Sequence, residues 1–198
     1  MISTAATLGS TLLILAGLLL PGTIWARAAR WPLPWLAGGV ISALGLFSGV
    51  IILSECGVGV TAVTLGGWQG GIALAGIIYW RRHRPGLTPE KVSLAEAWIA
   101  LPALPMMAVA GWRAFTQPLP GADVDFRWNH LAESIVSTGG LAHYPAFTAA
   151  DFTQHFWPDG IAPLVSGLYA WTYLAAGSTA KIWTALPVLL QFAGLLTL

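Results

Sequence analysis

Long uncharged apolar stretches alternate with short charged clusters along this chain, and an α-helix needs roughly 20 apolar residues to cross about 30 Å of hydrocarbon. Six stretches fit that pattern: 1–26, the run between Arg30 and Glu55, the run between Glu55 and Arg81, 97–115, the run between Asp159 and Lys181, and the run from Ile182 onward. The pattern predicts an all-α fold, a polytopic integral membrane helix bundle of about six transmembrane helices. Four spans fill 1–116, an external loop occupies 117–160, and two further spans fill 161–198. No basic segment leads the first stretch and no clear cleavage signal precedes Arg27, so it is read as an uncleaved span. The last stretch is still apolar at Leu198, which leads to the expectation of a chain cut from something longer.

Composition agrees with a bilayer as solvent. Charged residues make up 9% of the chain and hydrophobic ones 56%, with 11 tryptophans and a mean hydropathy of +0.71. A soluble core of this size cannot hide that much apolar surface. The net charge of +1 excludes a nucleic-acid binder that works by neutralising phosphates. The single cysteine, Cys56, excludes an intramolecular disulfide framework and a multi-cysteine zinc site.

Basic residues stay on the cytoplasmic side of a membrane, so their distribution predicts orientation. Arg27, Arg30, Arg81, Arg82, Arg84, Lys91 and Lys181 fall in loops of one side, and Arg113 and Arg127 in those of the other, seven against two. The expectation is a protein of the cytoplasmic membrane with its N-terminus outside. Trp25, Trp31, Trp35, Trp80, Trp98 and Trp112 lie near the expected span ends, where an interfacial belt would place them. The pairs Gly45/Gly49, Gly66/Gly70 and Gly67/Gly71 are spaced to let the second and third helices approach.

The 117–160 segment carries the only long polar stretch. Within it, Trp128, Leu131, Ala132 and Ile135 recur at i, i+3, i+4 and i+7, which predicts an amphipathic helix over 125–137. Asp123 or Asp125 would cap its start and Gly139-Gly140 would end it. Such a helix, directly after a span, is expected to lie along the interface with Trp128 and Ile135 towards lipid. Asp123 and Asp125 could bind a hard divalent cation such as Mg or Mn through oxygen, or split their acidities so that one serves as a base. Arg127 is the residue type that grips phosphate bidentately, and His130 follows within a turn. The plainer alternative makes the acidic pair N-caps and Arg127 an interfacial anchor. His130, His143 and His155 share the loop, but spacings of 13 and 12 residues match no compact metal motif.

The segment resembles a family. An apolar span, an external turn with an acidic pair, an interfacial helix, Gly-Gly, Tyr144-Pro145 and Trp157-Pro-Asp-Gly-Ile-Ala-Pro163 before the next span are similar to the polytopic C-type glycosyltransferases. The resemblance covers about 119–177. It implies a catalytic carboxylate in the first large external loop, matched here by Asp125 or Asp123, and a polyprenyl-phosphate-linked sugar donor beside the membrane lipid itself. Arg127, His130 and Tyr144 are the expected substrate-binding residues, and Asp123 with Asp125 the expected metal ligands. The chain departs from the family in placing three additional spans before the acidic pair. A second class of function stays open: a non-catalytic multi-pass protein, such as a transporter or assembly subunit, whose external loop docks a partner. A transporter is expected to carry charges inside its spans, and this chain has almost none there.

Overall fold

The computed structural model describes residues 4–31, 33–83, 103–119, 121, 124–141 and 163–196. All regular structure among them is helical. Three long helices, α1 (Thr4–Ala28), α2 (Pro34–Glu55) and α3 (Ala62–His83), come first. After them stand α4 (Ala103–Thr116), a π-helical turn (Val124–Asn129) running into α5 (His130–Thr138), α6 (Leu164–Ala176), and a 3-10 turn (Lys181–Thr184) running into α7 (Ala185–Leu195).

α1, α2 and α3 are long and apolar enough to cross a membrane. The other apolar helices are shorter. α4, α6 and α7 hold 14, 13 and 11 residues, roughly 21, 20 and 16 Å at 1.5 Å per residue, against about 30 Å of hydrocarbon. The described residues therefore contain three helices of spanning length where six were expected.

α1 and α2 meet through glycine. A Cβ on Gly22 would collide with the Gly38 carbonyl, and one on Gly38 with the backbone and hydroxyl of Thr23, so the two helices touch backbone to backbone. Pro21 lies inside α1 at this crossing and, having no N–H, makes no bond to the preceding turn. The Gly22 N–H beside it donates instead to Ser42 Oγ at 2.9 Å, a buried hydrogen bond that a membrane interior requires. α3 sits against both partners. The expected approach through Gly45 and Gly49 is present, with Ile72 and Gln69 over Gly45 and Trp68 and Leu65 over Gly49. Gly67, Gly70 and Gly71, by contrast, face open space. Three side chains bond carbonyls of neighbouring helices: Trp68 Nε1 to Gly45 O at 2.9 Å, Gln69 Nε2 to Ser42 O at 2.8 Å and Trp25 Nε1 to Ile72 O at 2.8 Å. Trp25 also stacks on Tyr79, with ring centroids 5.5 Å apart. It thus packs between α1 and α3.

α6 is the core of the bundle although it is short. Ser166 through Tyr173 are all buried, packed on α1, α2 and α3. An apolar helix of 10–14 residues is commonly a buried or re-entrant segment, and this one fits that class. Trp171 anchors it. Its indole donates to Ile14 O at 3.2 Å and fills the space left by the missing side chain of Gly17.

The bundle has two chemically different ends. Trp25 against Ile72 and Tyr79 puts the end of α1 beside the end of α3, so Arg27, Arg30, Arg81 and Arg82 gather at one end. At the other, Val60 N–H donates to Gly139 O at 2.6 Å and Leu141 N–H to Ser54 Oγ at 2.8 Å. These contacts dock the end of α5 on the connection between α2 and α3, beside Glu55.

Candidate functional site

The predicted helix over 125–137 is present as the π-turn and α5 together, and Gly139 ends it with φ 73, its N–H donating to Ile135 O. A π-turn inside a helix widens the coil by one residue and is frequent at functional sites. The apolar stripe faces inward, not towards lipid. Ala132 and Ile135 are fully buried in the core cluster with α6, and Trp128 and Leu131 pack on that cluster half-buried. A tertiary partner of the same hydrophobicity as lipid has taken the stripe, which corrects the interfacial placement of Ile135.

The polar face carries a row spaced four residues apart, Asp125, Asn129 and Glu133, which an α-helical coil sets one above the other. Asn129 stands between the two acids. Its Nδ2 donates to Asp125 Oδ1 and to Glu133 Oε1, both at 3.0 Å, and its Oδ1 accepts from the Tyr173 hydroxyl of α6. Asn129 and Tyr173 are buried. Lys181 completes the row, its Nζ 2.6 Å from Asp125 Oδ2, in a pair whose side chains are 44% and 43% exposed. Asp125 is therefore not a helix cap, since both its oxygens serve side chains.

The same pair corrects the sidedness of Lys181. A membrane crossing between Asp159 and Lys181 would put Lys181 and Asp125 on opposite faces. At 2.6 Å they stand together at one end of the bundle, and α6 does not separate them.

The hydrogen bond from Lys181 holds the Asp125 carboxyl below the ordinary carboxylate value of 3.8, opposed by partial desolvation and helped by the lysine charge and the Asn129 bond. The sign follows by linkage. A carboxyl lowered in the folded state contributes its stability in full above pH 3.8, and loses it as pH falls through the lowered value. The tie between Asp125 and Lys181 is thus expected to persist throughout the neutral range and to break only in strong acid, measurable as an acid-side fall in unfolding midpoint that Asp125→Asn abolishes. A half-exposed pair contributes at most about 1 kcal/mol, so its main effect is orientation.

Arg127 and His130 are exposed on the same segment, and by helical spacing neither belongs to the Asp125 row. Asp123, Tyr144, His143 and His155 lie outside the described residues. Among the described residues no three His, Cys, Asp or Glu side chains group as metal ligands. The Lys181 ammonium already stands at Asp125 Oδ2, where a divalent cation would have to displace it, so the described donors do not fit the expected Mg or Mn.

Asn129, Glu133, Tyr173 and Lys181 were not among the residues expected at the site from sequence. Asn129 was visible in principle, four residues from both acids. Tyr173 and Lys181 come from 44 and 56 residues away, and the only sign of the first is that a buried tyrosine hydroxyl requires a partner. Tyr173→Phe should leave the buried Asn129 oxygen unpaired and cost about 1–3 kcal/mol, checked by denaturant unfolding in detergent micelles. Compared with family models, curated proteins and solved structures, the chain finds no match.

Proposed function

We propose that this chain is a glycosyltransferase-like integral membrane protein that transfers a sugar from a polyprenyl-phosphate-linked donor to an acceptor at the outer face of the cytoplasmic membrane, with its N-terminus outside. The observation that supports the reading is a carboxylate held ionised and half-exposed at one end of a membrane bundle, with an ammonium beside it: Asp125 and Lys181. Transfer needs both charges. The acceptor O–H loses its proton to a base as its oxygen attacks the anomeric carbon, and the bond from that carbon to the phosphate oxygen breaks with its electron pair leaving on the phosphate. In this reading Lys181 turns from Asp125 to the leaving phosphate, which raises the basicity of Asp125 as the proton arrives. Asn129 and Tyr173 are positioning residues that tie the carboxylate to the buried α6.

The engagement of both Asp125 oxygens also favours a second reading, a purely structural tie in a non-catalytic membrane protein that docks a partner. The experiment that separates them incubates the purified, vesicle-reconstituted protein with a panel of polyprenyl-phosphate sugars and hydroxyl acceptors. Release of polyprenyl phosphate coupled to glycosylated acceptor supports the transferase. No turnover across the panel, with no donor-dependent rise in melting temperature, favours the second reading.

A further inference from the structure

An apolar cavity of about 420 Å³ opens between α2 and α7, with Leu19 of α1 and Leu168 of α6 in its walls. On α7 it reaches from Leu195 back to Pro187. On α2 it takes the first half of the helix, ending at Leu44, roughly 16 Å along the axis from Glu55. Gly39 and Ala43 form part of the α2 side, and Gly39 has room: a Cβ there would meet only Leu19 Cδ2, at an ordinary 3.9 Å. The rim runs directly into apolar surface of the bundle, with Val40 56%, Leu44 52% and Leu195 69% exposed. Cavity and outer surface form one continuous face.

The end of the bundle beyond the cavity is basic. Arg27 and Arg30 close α1, Arg81 and Arg82 close α3, and no acidic side chain among the described residues is at that end. Trp35, an amphipathic residue of the kind that sits at headgroup depth, lines the cavity where α2 begins. Gln191 is the one side-chain amide in the lining, and it is exposed.

From the cavity, its open rim and this charge we infer that the groove between α2 and α7 binds one acyl chain of an anionic phospholipid, with the headgroup phosphate at the arginines. Each half of that ligand meets its complement. The chain leaves the bilayer for walls as apolar as its neighbours, and basic residues near a membrane surface attract anionic lipid headgroups. The inference rests on the membrane helices and does not depend on the transferase reading, whose site is at the opposite end.

The test reconstitutes the protein in vesicles holding a phosphatidylglycerol with a photoactivatable diazirine on one acyl chain, and maps the crosslinked peptides. Crosslinks should concentrate in 36–44 of α2 and 187–195 of α7. Filling the groove with Gly39→Phe should lower their yield at least fivefold without lowering the melting temperature in detergent. Ala43→Leu serves as a second filling variant should the first unfold. Arg27→Gln with Arg30→Gln should lower the yield with phosphatidylglycerol to that seen with the phosphatidylcholine analogue. Undiminished crosslinking in folded filling variants, equal yields from both lipids in the unaltered protein, or protein-to-protein crosslinks at these peptides in place of lipid ones would each overturn the inference.

Discussion

Asp125→Asn is expected to lower sugar transfer by about 10²-fold or more, the loss typical of removing a general base, while the protein stays folded and inserted. Asparagine keeps the volume of the side chain and an oxygen that accepts from Asn129 Nδ2. It lacks the charge that pairs with Lys181 and the basicity that takes a proton. Since the pair is half-exposed, its loss should cost at most about 1 kcal/mol of stability, so a fall in rate would not be a fall in folded protein. Lys181→Gln beside it should raise KM for the donor and slow leaving-group departure. Glu133→Gln, on the same Asn129 amide, tests whether the second acid shares the work. Asp123→Asn compares the other half of the acidic pair. Unaltered transfer in Asp125→Asn would reduce the row to a structural tie.

The largest effect on folding is expected from Gly38→Val, on the order of 3 kcal/mol or more. Overpacking a core by side-chain atoms costs about 1–3 kcal/mol when neighbours can shift rotamer. At Gly38 the obstacle is the Thr23 backbone, which has no rotamer to change. α1 and α2 would have to separate, opening the crossing that carries the Gly22 to Ser42 hydrogen bond. Loss of the monodisperse folded form in mild detergent is the expected readout. Gly67→Val is the control: exposed on α3 with nothing within 4 Å, it should be close to neutral.

What the sequence made legible is local. The i, i+3, i+4, i+7 stripe and the Gly-Gly stop placed the helix over 125–137 almost to the residue, and uncharged length alone located α1, α2 and α3. Hydropathy does not say whether an apolar face meets lipid or protein. For that reason Ile135 was expected at lipid and is buried against the core, and the apolar run before Lys181 was expected to cross the membrane and folds as the short buried α6. Glycine spacing had the same limit. Gly45/Gly49 and Gly67/Gly71 look alike in sequence, yet only the first pair lies under another helix, while the tightest contact, Gly22 on Gly38, has no spacing signature because its members belong to different helices. The Lys181 pairing depends on how α6 returns the chain to the end of the bundle where Asp125 stands, which no single segment encodes.

The central claim is that Lys181 and Asp125 share one membrane face, and side-resolved labelling tests it most directly. In a Cys56→Ser background, Lys181→Cys, Ser137→Cys and His83→Cys are reconstituted in sealed vesicles of uniform orientation and exposed to an impermeant maleimide, before and after permeabilisation. Lys181→Cys and Ser137→Cys should label together from one side and His83→Cys only from the other. Lys181→Cys labelling together with His83→Cys would contradict the account.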